Sequence, residues 1–499
     1  MRRPCVVFSD RRIDLMRLVF RLTLSLCLGA AVPNGPAPVS AAGSTVYLPV
    51  VTRSYDPLAT TRRVNAPFFN VADITGQKFS EMAIFWFGRV GPTENYTDVR
   101  VAYNTTELVV YAAIFDRRLW YDTTPSASDL TQWDSVSVYL NLTGNAGGAP
   151  TTSAYRFVAQ LTNGGTLPAG SKASYRGNGS AWGAQAITFT ASSGWRGDVI
   201  NDNTNDRGWA MTFRIPFSSL GVSAPAQGAA PWGLAVVVHD RDDAGGTPIA
   251  DQAWPANTLD LNSPSTWGQL RWGLPAYTPP PSTPGGAVTI RHKLNGAVVP
   301  DADVGGALAN QCPGDENYMW NSWGNANYGA NTGLNIQNQD DIADWPCFAK
   351  LYITFPLTGV PAGKVIRSAT LTLHQTGGSG PSSNGDPPTD QYIQVLSVNQ
   401  DWSEGSITWN NAPLAVENFS GSWVGTVVGC GGSIAWPCVP RTWNVTALVA
   451  QAYASQTPAR LILYSANTGY GTGKHFTSSN AEDWNAVGRP TLTVEWGQP

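Results

Sequence analysis

The residues that could do chemistry in this chain are its tryptophans, its clustered carboxylates and its cysteines. One run, Trp402-Ser403-Glu404-Gly405-Ser406-Ile407-Thr408-Trp409-Asn410-Asn411-Ala412-Pro413, sets a carboxylate between two tryptophans. Glycoside hydrolysis needs a second carboxyl group flanking the scissile bond, with the two carrying different proton affinities. The sequence offers Glu404 no such partner, so it reads as a turn residue, and Trp402 and Trp409 read as packing anchors. Alternation over residues 406–409 predicts a short strand with Ile407 and Trp409 on one face. No His-Glu-x-x-His, Gly-x-Ser-x-Gly or phosphate-binding loop occurs, and His239, His292, His374 and His475 are scattered.

The other acids gather in turns, at residues 202–206 and 240–243. Oxygen-rich turns suit a hard cation, so calcium is carried as a candidate cofactor. No ligand set follows: counted from Asn201, position six is Asp206, where a calcium loop of the helix–loop–helix type requires Gly. Of six cysteines, Cys5 and Cys27 lie in the leader described below, which leaves Cys312, Cys347, Cys430 and Cys438. Four cysteines in an exported chain imply disulfides with three pairings open. Cys312 with Cys347 and Cys430 with Cys438 close the shorter loops and are the expected pairs. A zinc site competes, but no C-x-x-C spacing supports it.

Tryptophan is the best binding material. Sugar recognition lays an exposed aromatic face against the apolar face of a pyranose ring, with polar groups beside it. Trp120 and Tyr121, flanked by Arg117, Arg118 and Asp122, form one candidate; Trp254, in Asp251-Gln252-Ala253-Trp254-Pro255, forms another. Trp320 and Trp323, in an aromatic loop beside Cys312, form a third. Packing within a loop or core is the competing reading for each.

These residues must be positioned by β structure. The chain has 499 residues with 51 Gly, 36 Pro and 20 Trp but only 13% charged residues, a composition for turn-rich strands rather than long helices. Its net charge of −4 gives no electrostatic case for nucleic acid. Arg17 and Arg21 precede an apolar run over residues 22–32, and small residues up to Ala41 and Ala42 offer a cleavage site, so residues 1–42 read as a signal peptide. That run is shorter than the ~20 residues a membrane span requires. Residues 43–60 are an N-terminal extension. Residues 61–274 read as strand after strand, with Val136, Val138 and Leu140 on one face and a continuous apolar run at residues 232–239. Residues 275–286 carry four prolines between Pro279 and Pro284 and read as an extended spacer holding two modules apart. Residues 287–499 alternate again, with a short helix expected at residues 447–453. The fold class is therefore all-β: two jelly-roll-like β-sandwiches joined by a Pro-rich linker.

The order of Asp116, Trp133-Asp134 with its strand, Gly208-Trp209 through Ser218, and Trp267-Gly268 resembles carbohydrate-binding module family 9 and the wider DOMON-like sandwiches. That resemblance implies an aromatic-lined sugar site. Some DOMON-like sandwiches bind haem through Met and His, which raises Met82 with His239, although no CxxCH motif is present. Residues 325–329, 366–373, 402–413 and 443–446, with Arg489-Pro490, resemble the DNRLRE domain, or carbohydrate-binding module family 96. The Ser-x-Glu-Ala patch of that family stands here as Ser478-Ser479-Asn480-Ala481, with Asn480 where a carboxylate is expected. The functional expectation is a secreted, non-catalytic protein bound to extracellular or cell-surface polysaccharide. The alternatives are an adhesion protein acting through protein contacts, and a polysaccharide hydrolase or lyase.

Overall fold

Alternating strands bury one side-chain row each, and two such sheets close a core between them. This arrangement recurs twice along the chain. The structure, a computed structural model, describes residues 61–247, 249–306, 316–338, 348–378, 387–466 and 471–499. The expected signal peptide, the N-terminal extension and the expected Cys312 with Cys347 pair lie outside the described residues.

In the first sandwich one sheet runs in the order Arg63–Ala66, Gly268–Trp272, Trp232–His239, Ser135–Asn141, Ala154–Gln160, Lys172–Gly177 and Trp182–Ala184, with Gln252–Trp254 added beside Trp232–His239. The facing sheet runs Ala83–Gly91, Glu94–Tyr103, Glu107–Phe115, Gly208–Pro216, Thr190–Arg196 and Gly165–Thr166. Val136, Val138 and Leu140 all enter the core between them. The continuous apolar strand Trp232–His239 is buried along its whole length. Leu234, Val236 and Val238 face that core, while Ala235 and Val237 join Tyr139 and Trp267 in a second apolar layer outside the sheet. Burial on both faces removes the alternation and explains the run.

The second sandwich is an 11-stranded sheet folded over its own core. Gly333–Asn338 pairs with Lys474–Thr477 on one side and Phe348–Phe355 on the other, so it joins the two halves. The expected short helix is present at Thr446–Ala454.

The spacer expected at residues 275–286 does not hold the modules apart. Its last residues open the strand Thr283–Arg291, which pairs with Thr491–Gln498, and the Tyr277 hydroxyl donates to the Ile366 carbonyl at 2.8 Å. The two sandwiches meet because apolar side chains from each share one buried cluster. Trp86, Tyr96 and Phe115 from the first pack with Phe348, Trp409 and Tyr464 from the second. The ring centroids of Tyr96 and Trp409 are 4.8 Å apart, and those of Phe115 and Phe348 are 4.7 Å apart. Lys350, almost fully buried here, sets its ammonium 3.6 Å from the Trp409 ring centre and 4.2 Å from that of Trp86. Polar groups along the seam are paired across it. The Asn65 amide N–H donates to Asn418 Oδ1 at 2.8 Å, Arg63 meets Glu417 at 3.1 Å, and Asp98 accepts from the Tyr464 hydroxyl at 2.9 Å.

Residues 406–409 form turns rather than the expected strand. Asparagine side chains replace the ladder: Asn411 Oδ1 accepts from the Thr408 N–H at 2.7 Å, and its Nδ2 donates to the Ser406 carbonyl at 2.9 Å. Asn410 reaches the first sandwich, accepting from and donating to the Val90 backbone at 2.9 Å each. Side chains that satisfy backbone groups locally compete with strand pairing, and here they succeed.

Candidate functional site

An aromatic ring serves as a sugar platform only if a face is open, and burial decides this for the five expected site residues. Trp254 is 1% exposed, packed on Phe85 at 4.4 Å between centroids; Trp320 and Trp323 are 2% and 0% exposed within the cluster between the sandwiches. Trp120 is also buried, its backbone N–H held by Asp134 Oδ2 at 2.7 Å. Tyr121 is half-buried against the first core. The four tryptophans are structural. Trp254 closes the short strand Gln252–Trp254, Trp320 lies in the helix Glu316–Asn321 and Trp323 opens the 3-10 turn after it. Each of these rings fills apolar space against a sheet or the junction. Gly268 offers such a space: a Cβ there would stand 2.3 Å from the Trp254 ring.

The open aromatic faces lie elsewhere. Among the described residues, Trp436 and Trp484 are the two aromatics that stand out as exposed, at 45% and 66%. Their centroids are 5.3 Å apart with the rings at 87°, so they form a right-angled corner on the second sandwich. Trp436 belongs to the loop closed by the Cys430–Cys438 disulfide, one of the two expected pairs. It lies over Gly431, whose φ of 76° and lack of a side chain leave room for the indole; a Cβ there would sit 2.9 Å from Nε1. Trp484 belongs to the 3-10 turn Asp483–Gly488 and donates from Nε1 to Glu482 Oε2 at 3.0 Å. Buried Arg489 anchors that turn, donating to the Ala481 carbonyl at 2.6 Å and pairing with Asp483. Asp483 also meets Lys293 at 2.9 Å, and these hydrogen bonds hold its carboxyl at about 2. The sequence signal for this corner was an expected disulfide loop and a tryptophan in a polar, non-alternating stretch.

A second grouping sits at one end of the first sandwich. Asp116 follows the strand Glu107–Phe115, Asp134 precedes Ser135–Asn141, and Asp240 follows Trp232–His239. One carboxylate oxygen from each lies within 4.8 Å of the others. Asp116 and Asp134 are 1% and 0% exposed, and Oδ1 of Asp240 is buried with no hydrogen-bond partner. Burial, then mutual repulsion, raises the Asp116 and Asp134 carboxyls well above their ordinary range and Asp240 to about 8. Three oxygen donors from two sheets, with no ion pair to any of them among the described residues, make a donor set suited to calcium. Of the acidic turns read from sequence, only Asp240 contributes. Asp206 instead accepts from the Leu119 and Asp198 N–H groups at 3.2 and 3.1 Å, and Asp202 caps Thr204 at 2.8 Å. Met82 and His239 are not brought together. Met82 packs with Phe69 and Ile74, and His239 bonds to Ser137 and Asp251 at 2.9 Å each.

Glu404 does acquire a second carboxylate that sequence did not reveal. Its Oε1 accepts from the Asp301 N–H at 3.2 Å and from Asn480 Nδ2 at 3.2 Å. Asn480 thus places a neutral donor where the family pattern has an acid. Asp301 is buried and bound by the Ser478 hydroxyl at 3.0 Å and the Ser479 N–H at 2.7 Å, a framework contact closed to a substrate. Burial lifts its carboxyl to about 7. An unfolded aspartate titrates near ~3.9, so the native state holds the extra proton and stability falls as pH rises from about 4 to about 7. Asp301→Asn removes that loss, which is on the order of 4 kcal/mol at most. Relative to the parent, the variant is expected to gain stability in urea unfolding at pH 8 compared with pH 5. An equal difference at both pH values would refute the assignment.

Residues 308–495 match the model of carbohydrate-binding module family 96. Among solved structures, a carbohydrate-binding module family 9 from Caldicellulosiruptor kristjanssonii in complex with cellotriose shares 14% identity over 42% of this chain and 94% of its own, with a TM-score of 0.30. A module of that family from the same organism, in complex with glucose, shares 16% over 44% of this chain and 100% of its own, also with a TM-score of 0.30. No curated protein matches the chain. Its second sandwich is similar to carbohydrate-binding module family 96.

Proposed function

We propose that this is a secreted, non-catalytic protein that attaches to extracellular or cell-surface polysaccharide. The observation that carries the reading is the coincidence of the family 96 segment with the exposed Trp436–Trp484 corner. Export is supported by the leader-like residues 1–42 and by the expected disulfide between Cys430 and Cys438. No helix among the described residues is long and apolar enough to cross a membrane. The non-catalytic reading is supported by Glu404, whose Oε1 accepts from the Asp301 N–H and Asn480, and by Asp301, buried with both oxygens bound by Ser478 and Ser479. Affinity electrophoresis on a panel of polysaccharides, followed by assay for released sugars, tests it. Retardation by one or more polysaccharides without product is expected. Free migration through all of them would sink the binding reading, and accumulating reducing ends or unsaturated products would sink the non-catalytic one.

A further inference from the structure

We infer that the cleft between the two sandwiches binds a small polyhydroxylated carboxylate, at a site separate from the Trp436–Trp484 corner and built only where the modules meet. The cleft encloses about 570 Å³, the size of a small-molecule site. Arg62, Arg89 and Glu94 line it from the first sandwich, and Trp409, Asn410 and Pro413 from the second. Those three are its only charged lining residues, so the cleft is net positive in a chain whose net charge is −4.

Arg62 is a cation without an anion. It is half-buried, its Nη1 donates to the Pro255 carbonyl, and its Nε is buried with no hydrogen-bond partner. Burial alone acts on its pKa and lowers it, and no carboxylate pairs with it among the described residues. A partly desolvated guanidinium is costly until an anion meets it, and a planar carboxylate matches its fork. Arg89, exposed near the end of the strand Ala83–Gly91, adds a second unpaired cation. Hydroxyl groups find partners on the same walls. Half-buried Glu94, across the hairpin from Gly91, offers acceptor oxygens. Gln252 Oε1 accepts from Asn257 Nδ2 at 2.9 Å, which leaves Gln252 Nε2 as a donor. The walls are set before a ligand arrives: Asn410 is bound to the Val90 backbone at 2.9 Å twice, and Trp409 rests on Tyr96. A ligand held by both walls therefore also ties the sandwiches together.

The test is calorimetric titration of the full chain with glucuronate, glucose and acetate, with thermal melts alongside. Glucuronate is expected to bind about tenfold or more tighter than either control and to raise the melting temperature. Arg62→Gln is expected to weaken that binding about tenfold. Arg89→Gln, at an exposed position, is expected to weaken it several-fold while the free protein melts as the parent does, which separates binding from folding. Glucose bound as tightly as glucuronate would refute the role of the two cations, and acetate bound as tightly would refute the hydroxyl contacts. Glucuronate binding indifferent to both arginine variants, or no glucuronate binding at all, would overturn the cleft as a site. Retardation by polysaccharides in that last case would leave the proposed function standing, so the two readings fail separately.

Discussion

Trp409→Ala is expected to cost about 3–5 kcal/mol and to split one thermal transition into two. Trp409 is 4% exposed and touches both sandwiches: its centroid is 4.8 Å from Tyr96 of the first and 4.8 Å from Trp323 of the second. It also walls the Lys350 ammonium at 3.6 Å, so its loss opens a void beside a buried cation and removes the group that best shields it. Gly305, with a φ of 105°, lies so close that a Cβ would stand 2.9 Å from the ring, so the backbone there is shaped to this indole. Differential scanning calorimetry of the full chain checks the outcome. A single transition moved by less than a degree would show that the cluster does not couple the sandwiches. Trp402→Ala, at a half-buried position in the same loop, is the control and should cost less.

The strands were legible because burial leaves a period. Val136, Val138 and Leu140 alternate because one face of their sheet meets the core, and residues 232–239 run unbroken because both faces are covered. The junction was not legible, since proline content speaks for local extension and says nothing about apolar surface 200 residues away. Trp86 and Tyr96 read as ordinary strand residues, yet they face the other sandwich. Tryptophan placement failed for a related reason. Trp254 and Trp320 stand in polar stretches of sequence, and only the folded path shows that one ends a strand paired with Trp232–His239 and the other lies in a helix at the junction. The carboxylate group was hidden by distance: residues 116, 134 and 240 meet because Trp232–His239 pairs with Ser135–Asn141 while Glu107–Phe115 lies in the facing sheet. A weak common signal existed, in that each is an aspartate at the end of a strand.

Calcium at this carboxylate group is expected to raise the melting temperature of the chain by roughly 3–5 °C. A cation present at about a hundredfold its dissociation constant contributes ~2.7 kcal/mol, and a transition that spans both sandwiches moves by about 1–2 °C per kcal/mol, less than the shift of a single domain. The effect should grow with pH. Without a cation the three carboxyls keep protons that the unfolded chain releases near ~3.9, so native stability falls as pH rises toward about 8, the level to which Asp240 is lifted. A divalent ion competes with those protons, so its contribution is larger at pH 8 than at pH 5. Because Asp116 belongs to one sheet and Asp134 and Asp240 to the other, the ion would tie the two layers together at that end. Asp134 accepts from the Trp120 N–H on Oδ2 and from the Arg241 N–H on Oδ1, so Asp134→Asn keeps one acceptor and sets an amide donor against the other N–H. The calcium-free variant is expected to melt lower than the parent, and its response to calcium to disappear. Thermal melts with added calcium and with chelator at both pH values check this. Identical curves in calcium and chelator at pH 8 would show that these carboxyls are satisfied by protons alone.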